Sequence, residues 1–272
     1  YPGQVPDEII QLRRGQNNAV WRGITDRTVL YDHAVGAGKT FLGVARAMER
    51  RRMGLANKPL IVVPNHIVTA WGSDIYKLYP GAKALIPSKR DMTKRGRRRF
   101  FARMATGDWD IIVIPHSFMK FLSLSDPVTE SYLREEIAIA MAGLAEAEAI
   151  AEEEDTGGGR RFKPLSVKQA ENLVDRLTGR LEKVLNREGG DRLLTFEQIG
   201  IDDLTIDESH EFKNLQYTTT LQGVKGMGNA LGSEKAMDLY FKTKYLNRQN
   251  NGIAFMTGTP ISNSAVEMHT IM

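Results

Sequence analysis

The stretch Thr28-Val29-Leu30-Tyr31-Asp32-His33-Ala34-Val35-Gly36-Ala37-Gly38-Lys39-Thr40 joins a short apolar run to a glycine-rich turn that ends in a Lys-Thr pair. A pattern of helical period follows at once, made by Phe41, Leu42, Val44, Ala45 and Met48. The order is strand, glycine-rich loop, helix, which is the local arrangement of phosphate-binding loops. We therefore predict an α/β domain with a nucleoside triphosphate site at this loop.

The chemistry of that site follows from the residue types. Glycine at Gly36 and Gly38 lets backbone amides turn toward phosphate oxygens, and the N-terminus of the next helix adds a favourable dipole. Lys39 is predicted to reach the β and γ phosphates, and Thr40 to ligate Mg²⁺. The general form of the motif has a glycine where His33 stands, so this is a shorter form. A chance glycine-rich turn is the alternative, and the flanking strand and helix argue against it.

Apolar runs elsewhere extend the pattern to a sheet. Residues 28–31, 60–63, 84–86, 111–114, 204–206 and 253–256 read as short buried parallel strands. Between the second and third, Ile67, Trp71, Ile75 and Leu78 repeat at helical spacing behind a possible cap at Asn65. Strand and helix alternation predicts a three-layer α/β fold with a mainly parallel sheet.

Two regions interrupt this alternation. Residues 129–190 have a helical composition with a Gly-Gly-Gly tip, and they predict a helical-hairpin insertion between a first part, 1–128, and a remainder, 191–272. Two interpretations of the insertion stay open, a solvated spacer and an arm for DNA or a partner. The second region, residues 215–232, contains four glycines and predicts a flexible loop.

Two adjacent carboxylates end the fifth strand. Residues 204–210 read Leu-Thr-Ile-Asp-Glu-Ser-His. Asp207 and Glu208 therefore come directly after the predicted strand at 204–206. At a strand end, Asp207 is predicted to hold Mg²⁺, Glu208 to activate the attacking water, and His210 to sense the γ-phosphate. A solvated acidic turn is the alternative. Because the pair occurs together with the loop at Lys39, the catalytic interpretation is favoured.

Composition excludes several classes of protein. The 272 residues carry 37 basic and 33 acidic side chains, and a formal charge of +4 is a weak argument for a nucleic-acid partner. The absence of cysteine excludes disulfides and thiolate metal sites. No apolar run approaches the roughly 20 residues that cross a bilayer, and the stretch Tyr1-Pro2-Gly3-Gln4 lacks the apolar core of a signal peptide. We expect a cytoplasmic chain with no membrane partner.

Local charge gives a stronger indication of the partner. Eight basic side chains lie between residues 89 and 103, with only Asp91 opposing them. This cluster, which includes Arg97 and Arg98, is predicted to lie beside the crossover helix and to bind phosphates with little sequence preference. A solvated helix face, or a surface docked on a missing domain, is the alternative.

Several longer motifs resemble one family. Residues 207–214, Asp-Glu-Ser-His-Glu-Phe-Lys-Asn, resemble motif II of the Swi/Snf-like superfamily-two helicases and translocases, with Ser209 in place of the usual alanine. Residues 256–263, Met-Thr-Gly-Thr-Pro-Ile-Ser-Asn, resemble motif III, and residues 62–66 with Trp71 resemble motif Ia. The resemblance covers residues 10–124 and 195–272 and leaves the insertion outside it.

That resemblance implies a fold and a set of roles. It implies the first RecA-like lobe of an ATP-dependent DNA translocase, using ATP and Mg²⁺ and gripping double-stranded DNA. The implied ATP contacts are Gln16, Gly36, Ala37, Gly38, Lys39 and Thr40. The implied nucleic-acid contacts are Pro64, Asn65, His66, His116 and Ser117, and the implied coupling residues are Thr257, Gly258 and Thr259. A nucleotide-gated scaffold without turnover is the alternative function.

The resemblance also implies a larger parent. Residues 17–22, 106–110 and 232–240 look like the helicase part of phage and mobile-element methylase-helicase polypeptides, so a methyltransferase domain in the parent is possible. Because the chain begins at Tyr1 and ends within a helical pattern, we expect a fragment. The family places a second RecA-like lobe with an arginine finger after Met272. The expected location is the cytoplasm of a bacterial or phage-infected host cell.

Overall fold

Six parallel strands form the centre of the molecule. The computed structural model describes residues 10–34, 36–154, 165–186, 194–212, 215 and 233–259. Within these ranges the strands are β1 (Thr28–Asp32), β2 (Pro59–Val63), β3 (Ala84–Leu85), β4 (Ile111–Pro115), β5 (Asp203–Ile206) and β6 (Gly252–Thr257). Their order in the sheet is β1-β6-β5-β2-β4-β3, with every neighbouring pair parallel. All six strand predictions are confirmed.

Helices connect the strands and cover the sheet. They are α1 (Arg14–Thr25), α2 (Lys39–Arg52), α3 (Val68–Leu78), α4 (Lys94–Thr106), α5 (His116–Met119), α6 (Asp126–Glu154), α7 (Leu165–Leu185), α8 (Phe196–Ile199) and α9 (Glu234–Arg248). Short 3-10 turns occupy Asn65–Ile67, Lys89–Met92 and Ser209–Phe212.

Two apolar clusters lie on opposite faces of the sheet. In β2, Leu60 and Val62 point into one cluster and Ile61 and Val63 into the other, because successive side chains of a strand alternate. Helices α1, α2 and α3 bury their apolar sides in the second cluster, and α4 to α9 contribute to the first. Both β2 and β4 are buried along their whole length. The three-layer RecA-like α/β fold is confirmed.

The hairpin of α6 and α7 is anchored to the lobe at its base. Tyr132 and Leu133 of α6 and Leu173 and Leu177 of α7 are buried in the first cluster. Helix α6 begins at Asp126, three residues before the predicted insertion. The base is therefore part of the core and not a solvated spacer. The predicted tip at 156–161 and the predicted loop at 216–232 lie outside the described residues, and the domain boundaries stay a prediction.

Ion pairs join the hairpin to α9. Lys244 lies 2.7 Å from Glu136 and 3.0 Å from Glu135, and Arg248 lies 2.6 Å from Glu135. Lys244 and Arg248 also stand over the ring of Tyr132, at 5.2 and 4.6 Å from its centroid. Cations that face both carboxylates and an aromatic ring hold the base of α6 against the helix that precedes β6.

Two local predictions were wrong. Asn65 does not cap α3, because Ile67 is the N-cap residue and Asn65 opens the preceding 3-10 turn. The basic helix α4 does not lie beside α3. Its Phe100 and Phe101 are fully buried in the first cluster, whereas Trp71 of α3 is buried in the second, so the two helices pack on opposite faces of the sheet.

Candidate functional site

The glycine-rich loop lies between β1 and α2 at the carboxyl edge of the sheet. Gly36 and Gly38 have φ values of +85° and +82°, a left-handed backbone that favours glycine. The amide of Ala37 donates to Ala34 O at 3.1 Å, which closes the turn. Gly38 is the N-cap residue of α2, so Lys39 and Thr40 open that helix. The loop has the backbone that a phosphate cradle requires.

Gln16 of α1 braces this loop. Its Nε2 donates to Ala37 O at 3.1 Å and to Gly38 O at 3.4 Å, while its Oε1 accepts from Arg13 N at 2.9 Å. A Cβ atom on Gly38 would meet Nε2 of Gln16 at 2.3 Å, so a larger residue there would displace the side chain that braces the loop, in addition to the strain of its positive φ. Gln16 is thus placed at the loop, as predicted, and holds its shape. Its adenine contact stays a prediction.

Asp207 lies just after β5, buried at the same edge of the sheet. Its amide donates to Val62 O at 2.8 Å, which extends the ladder to β2 by one residue. Its Oδ1 is buried and has no hydrogen-bond partner among the described residues. Burial, with the nearby charge of Glu208, raises the pKa of Asp207 to about 6, and the charge of Lys39 acts in the opposite direction. One oxygen of the carboxylate, Oδ1, is therefore left for a ligand, while the Glu208 backbone, through a hydrogen bond, and the Trp71 side chain act on the group and lower its pKa.

Glu208 has a strained backbone and heads a chain of polar contacts. Its φ, just after β5, is +50°, a left-handed value that non-glycine residues seldom adopt. Glu208 Oε2 lies 3.2 Å from His210 Nδ1. The same nitrogen lies 3.1 Å from Thr257 Oγ1 and 3.5 Å from Thr259 Oγ1. The predicted catalytic and coupling residues are thus in contact through one imidazole.

Thr257 extends this contact to the loop. It ends β6, is fully buried, and its carbonyl accepts from the amide of His33 at 3.2 Å. Its hydroxyl also accepts from Thr259 N at 3.1 Å. The backbone entering the glycine-rich loop is therefore tied to the segment that carries Thr257, Gly258 and Thr259. Residues 260–263, the rest of the stretch that resembles motif III, lie outside the described residues.

The predicted nucleic-acid contacts after β2 and β4 line one groove of about 730 Å³. Asn65 Oδ1 accepts from Ser117 N at 3.2 Å, which joins the two strand ends. Only part of the wall was named from sequence. The lining residues are Pro64, Asn65, His66, His116, Ser117, Met119, Lys120, Glu211, Glu234, Lys235 and Asp238. The contacts from α9, 117 or more residues after Ser117 in the chain, could not be predicted from a local motif.

Charges in this groove are largely balanced inside the lobe. Lys235 pairs with Glu211 at 2.7 Å, and Asp238 pairs with the buried Lys242. Lys120, which is exposed, stands 5.1 Å from the centroid of Phe121. Arg97 of α4 covers the same ring at 4.0 Å. Phe121 thus connects the groove to the basic helix, although that helix lies on the opposite face from α3.

The basic helix presents its charge to solvent on one side. Lys94, Arg95, Arg98 and Arg99 are exposed, and Arg97 is half-buried with Nη1 donating to Met92 O at 2.6 Å. Their spacing repeats at four residues, so the like charges are neighbours on the helix surface. Arg97 and Arg98 therefore belong to a cationic surface that borders the groove through Phe121.

A buried ion-pair cluster lies below the site and has no local sequence motif. Arg46 Nη1 and Nη2 of α2 donate to Asp203 at 2.7 and 3.0 Å, and Arg50 Nε donates to the same carboxylate at 2.8 Å. Arg46 Nη1 also reaches Thr205 Oγ1 at 3.1 Å. Arg50 donates further to Ile24 O of α1 at 3.2 Å. The cluster fixes α2, and with it the glycine-rich loop, against β5.

The donor set fits a magnesium ion that is shared with a nucleotide. Mg²⁺ prefers carboxylate and hydroxyl oxygens and usually takes few of them from the protein, with phosphates and waters completing the octahedron. The unpartnered Asp207 Oδ1 is such an oxygen, and Thr40 opens the helix that follows the loop. Among the described residues, no cluster of three or more His, Asp or Glu forms a separate metal site.

Fold and site together define a RecA-like α/β domain. Its parallel sheet carries a glycine-rich loop before a helix and an acidic pair after a neighbouring strand. A family model described as a probable helicase domain matches residues 21–272, and the chain belongs to that family. The prediction of a helicase-type domain is therefore confirmed.

Other comparisons add little to the assignment. The chain is similar to the solved Sulfolobus solfataricus SWI2/SNF2 ATPase core in complex with dsDNA, with 14% identity and a TM-score of 0.45. The match covers 100% of this chain and 37% of that one, so the chain spans well under half of its length. A search of curated proteins finds no match. Among the described residues, no helix has the length and apolar character needed to cross a bilayer.

Proposed function

We propose that this chain is the ATP-binding and ATP-hydrolysing lobe of a Swi/Snf-like motor that moves on double-stranded DNA. The observation that carries the proposal is the buried Oδ1 of Asp207, which has no hydrogen-bond partner among the described residues. It lies at the sheet edge that also holds the glycine-rich loop, where the charge of Lys39 acts on it. A buried acid with a raised pKa and an unsatisfied oxygen costs folding energy, so it is best explained by a ligand that completes it.

Each residue of the edge has a defined task in this proposal. The amides of the loop and Lys39 hold the β and γ phosphates, and Thr40 and Asp207 hold Mg²⁺. The metal ion, when bound, neutralises charge on the phosphates. Glu208, which follows Asp207 directly after β5, orients the attacking water and accepts its proton. Hydrolysis then proceeds by positioning and charge stabilisation, with no covalent intermediate.

His210 links this chemistry to the rest of the lobe. Its Nδ1 lies within 3.5 Å of Glu208, Thr257 and Thr259, so a shift of Glu208 on loss of the γ-phosphate reaches both threonines. We assign Thr257, Gly258 and Thr259 the role of reporting nucleotide state to the nucleic-acid side. The short contacts support this role because His210 lies directly between Glu208 and the two threonines, with no other residue intervening.

The groove and the basic helix form the proposed DNA surface. Pro64, Asn65, His66 and Ser117 would face the backbone of one strand, and the exposed cations of α4 would extend the contact past Phe121. Arg97 and Arg98 belong to that extension. Contacts of this type are made to phosphates, so binding should depend strongly on salt and little on sequence.

A complete motor needs a positive charge at the transition state that we do not assign to any residue of this lobe. In phosphoryl transfer an arginine supplied from another element stabilises the transition state and accelerates turnover by roughly 10³–10⁵-fold. We propose that a second RecA-like lobe provides it. The lobe by itself should therefore bind Mg·ATP and hydrolyse it slowly. A methyltransferase domain in the parent, and a methylase-helicase origin, stay predictions from sequence resemblance.

The test separates binding from chemistry. Single-turnover hydrolysis and fluorescent-nucleotide binding are measured for the chain and two variants. Lys39→Ala should lose most nucleotide affinity because the ammonium that pairs with the phosphates is gone. Glu208→Gln should bind normally and hydrolyse about 100-fold more slowly, the size of a general-base contribution. Lys83→Ala, a lysine at the opposite edge of the sheet, is the matched control and should change neither quantity.

The alternative function, a nucleotide-gated scaffold, predicts a different pattern. Nucleotide binding would still require Lys39. Phosphate release would have the same basal rate in the unmutated chain and in Glu208→Gln. Equal hydrolysis by the chain and by Glu208→Gln would therefore rule out the proposed enzyme and favour the scaffold.

A further inference from the structure

The groove and the Asp207 segment are connected by a short chain of hydrogen bonds. Lys235 Nζ lies 2.7 Å from Glu211 Oε2. The same oxygen lies 3.1 Å from His116 Nδ1, and His116 Nε2 lies 2.9 Å from the backbone carbonyl of Asp207. Four groups thus connect the exposed wall of the groove to the residue that we propose as a magnesium ligand.

His116 is poorly placed to touch a phosphate itself. It is 7% exposed, and its ring packs edge-on against Phe212 at 5.1 Å between centroids. Both of its ring nitrogens already face oxygen atoms of the lobe. Its neighbours Ser117 and Lys120 are more accessible to a ligand in the groove. The role of His116 must therefore be sought inside the lobe.

The two contacts of His116 compete with each other. A neutral imidazole carries one N–H, so it donates either to Asp207 O or to Glu211 Oε2 but not to both. The stronger acceptor takes the hydrogen bond. Lys235 determines that strength, because its ammonium shares Glu211 Oε2 and reduces the pull of the carboxylate on the ring.

A phosphate in the groove would change this competition. Lys235 is 39% exposed at its side chain and lines the groove, so a backbone phosphate can draw it away from Glu211. The released carboxylate then favours the Nδ1–H tautomer of His116, in which Nδ1 takes up a proton and Nε2 gives one up by exchange with water, and the carbonyl of Asp207 loses its hydrogen bond. The adjacent Asp207 and Glu208 side chains are repositioned by a change that began in the groove.

We propose that His116 is a positioning residue that, with Glu211 and Lys235, transmits occupation of the groove by a nucleic-acid phosphate to the backbone of Asp207. This inference rests on the proposed function and adds a route from DNA to the acidic pair that differs from the contact of His210 with Thr257. Coupling between two ligands is reciprocal, so it is measurable from binding alone, without turnover.

The test measures how much DNA changes nucleotide affinity. The dissociation constant of a fluorescent ATP analogue with Mg²⁺ is determined for the full chain with and without a saturating 30-base-pair duplex, the length being about three helical turns. The ratio of the two dissociation constants, without and with duplex, should differ from one by at least about fivefold in the unmutated chain, the lower end of typical allosteric coupling. Lys235→Ala and Glu211→Gln should both bring the ratio to about one. Without DNA, Lys235→Ala should shift the nucleotide affinity to the value that the unmutated chain shows with duplex, because Glu211 is already released, whereas Glu211→Gln should stay within about threefold of the unmutated chain.

Lys120→Ala is the matched control for Lys235→Ala. Both lysines line the groove, but Lys120 has no contact with Glu211 among the described residues. Its loss should weaken duplex binding and keep the ratio. His116→Ala should abolish the ratio as well, and because His116 is buried its melting temperature is measured beside that of the two exposed variants. The ¹⁵N shifts of the His116 ring should also move on adding duplex in the unmutated chain.

The outcomes separate this inference from the proposed function. A ratio of about one in the unmutated chain, with both ligands bound, overturns the coupling and leaves the proposed function standing. A ratio that Lys235→Ala and Glu211→Gln both preserve has the same meaning. If neither nucleotide nor duplex binds the chain, the proposed function fails and the coupling fails with it.

Discussion

The two ends of strand β5 carry the same residue type in opposite situations. Asp203 begins the strand and Asp207 follows its end, and both lie on the sheet face that α2 covers, since they are four residues apart. Asp203 is fully buried and receives three hydrogen bonds from Arg46 and Arg50. Asp207 is almost as buried, but its Oδ1 has no partner within the described chain.

This difference distinguishes an acid that holds the fold from an acid that awaits a ligand. At the first end, one helix supplies two guanidinium groups seven and eleven residues after Lys39, and the carboxylate is satisfied. At the second end, the same helix supplies Lys39, whose Nζ donates to His33 O at 3.0 Å instead of to an acid. Burial alone therefore does not identify a functional carboxylate, and the state of its hydrogen bonds does.

The largest expected effect is loss of the satisfied acid. Asp203→Ala leaves Arg46 and Arg50 buried without their carboxylate, which should lower the free energy of unfolding by about 3–5 kcal/mol. Urea denaturation followed by circular dichroism measures this change. Asp108→Ala, which removes an exposed partner of Arg51, is the control and should cost about 1 kcal/mol or less. Equal costs for the two variants would break the comparison.

Loss of the unpartnered acid should have the opposite sign. The pKa of Asp207 is raised from 3.8 to about 6, so the folded chain binds this proton more tightly than the unfolded chain. The resulting stability is complete below about pH 4 and is lost as the pH rises through about 6. Asp207→Asn, which is neutral at every pH, should stabilise the nucleotide-free chain above pH 6 by up to about 3 kcal/mol, at about 1.4 kcal/mol per pKa unit.

That prediction is checked by thermal melts from pH 4 to pH 8. The difference between the unmutated chain and Asp207→Asn should grow between pH 4 and pH 6 and then level off, and Mg²⁺ should no longer strengthen nucleotide binding in the variant. A variant less stable than the unmutated chain at pH 8 would show that Asp207 is satisfied in the free protein.

The smallest expected effect is that of replacing Thr205, which lies between Asp203 and Asp207 on the same face of the sheet. Thr205 Oγ1 accepts from Arg46 at 3.1 Å, in addition to the bonds of Arg46 with Asp203. Thr205→Val keeps the shape and removes that acceptor, which should cost about 1 kcal/mol in urea denaturation because the guanidinium keeps its main partner. Nucleotide affinity should be unchanged. A cost as large as that of Asp203→Ala would mean that Thr205, and not the ion pair, fixes α2.

Much of the fold and part of the site were predictable because they depend on residues close together in the chain. The six strands were found from apolar runs, and the glycine-rich loop from its position between a strand and a helix. The contact of His210 with Thr257 could be expected only through the family resemblance. The Arg46–Asp203 ion pair could not be predicted, because its partners are 157 residues apart. In addition, an arginine in a helix is ordinarily expected at an exposed position.

The basic helix shows where local reasoning gave the wrong place. Its charges predicted a surface beside α3, but Phe100 and Phe101 are core residues that fix α4 on the other face. The side of the sheet that a helix covers depends on the handedness of each crossover and on which apolar cluster its side chains fill.

The sequence by itself determined the class of fold, the phosphate-type loop and the acidic pair. Each of these is indicated by patterns within about a dozen residues, because local backbone conformation depends on residues that are neighbours in the chain. The tertiary structure alone decided which acid is satisfied and which is not, and that His116, Glu211 and Lys235 meet at one oxygen. The physical reason is that hydrogen-bond satisfaction and burial depend on groups from different strands and helices, and these come together only when the sheet has formed.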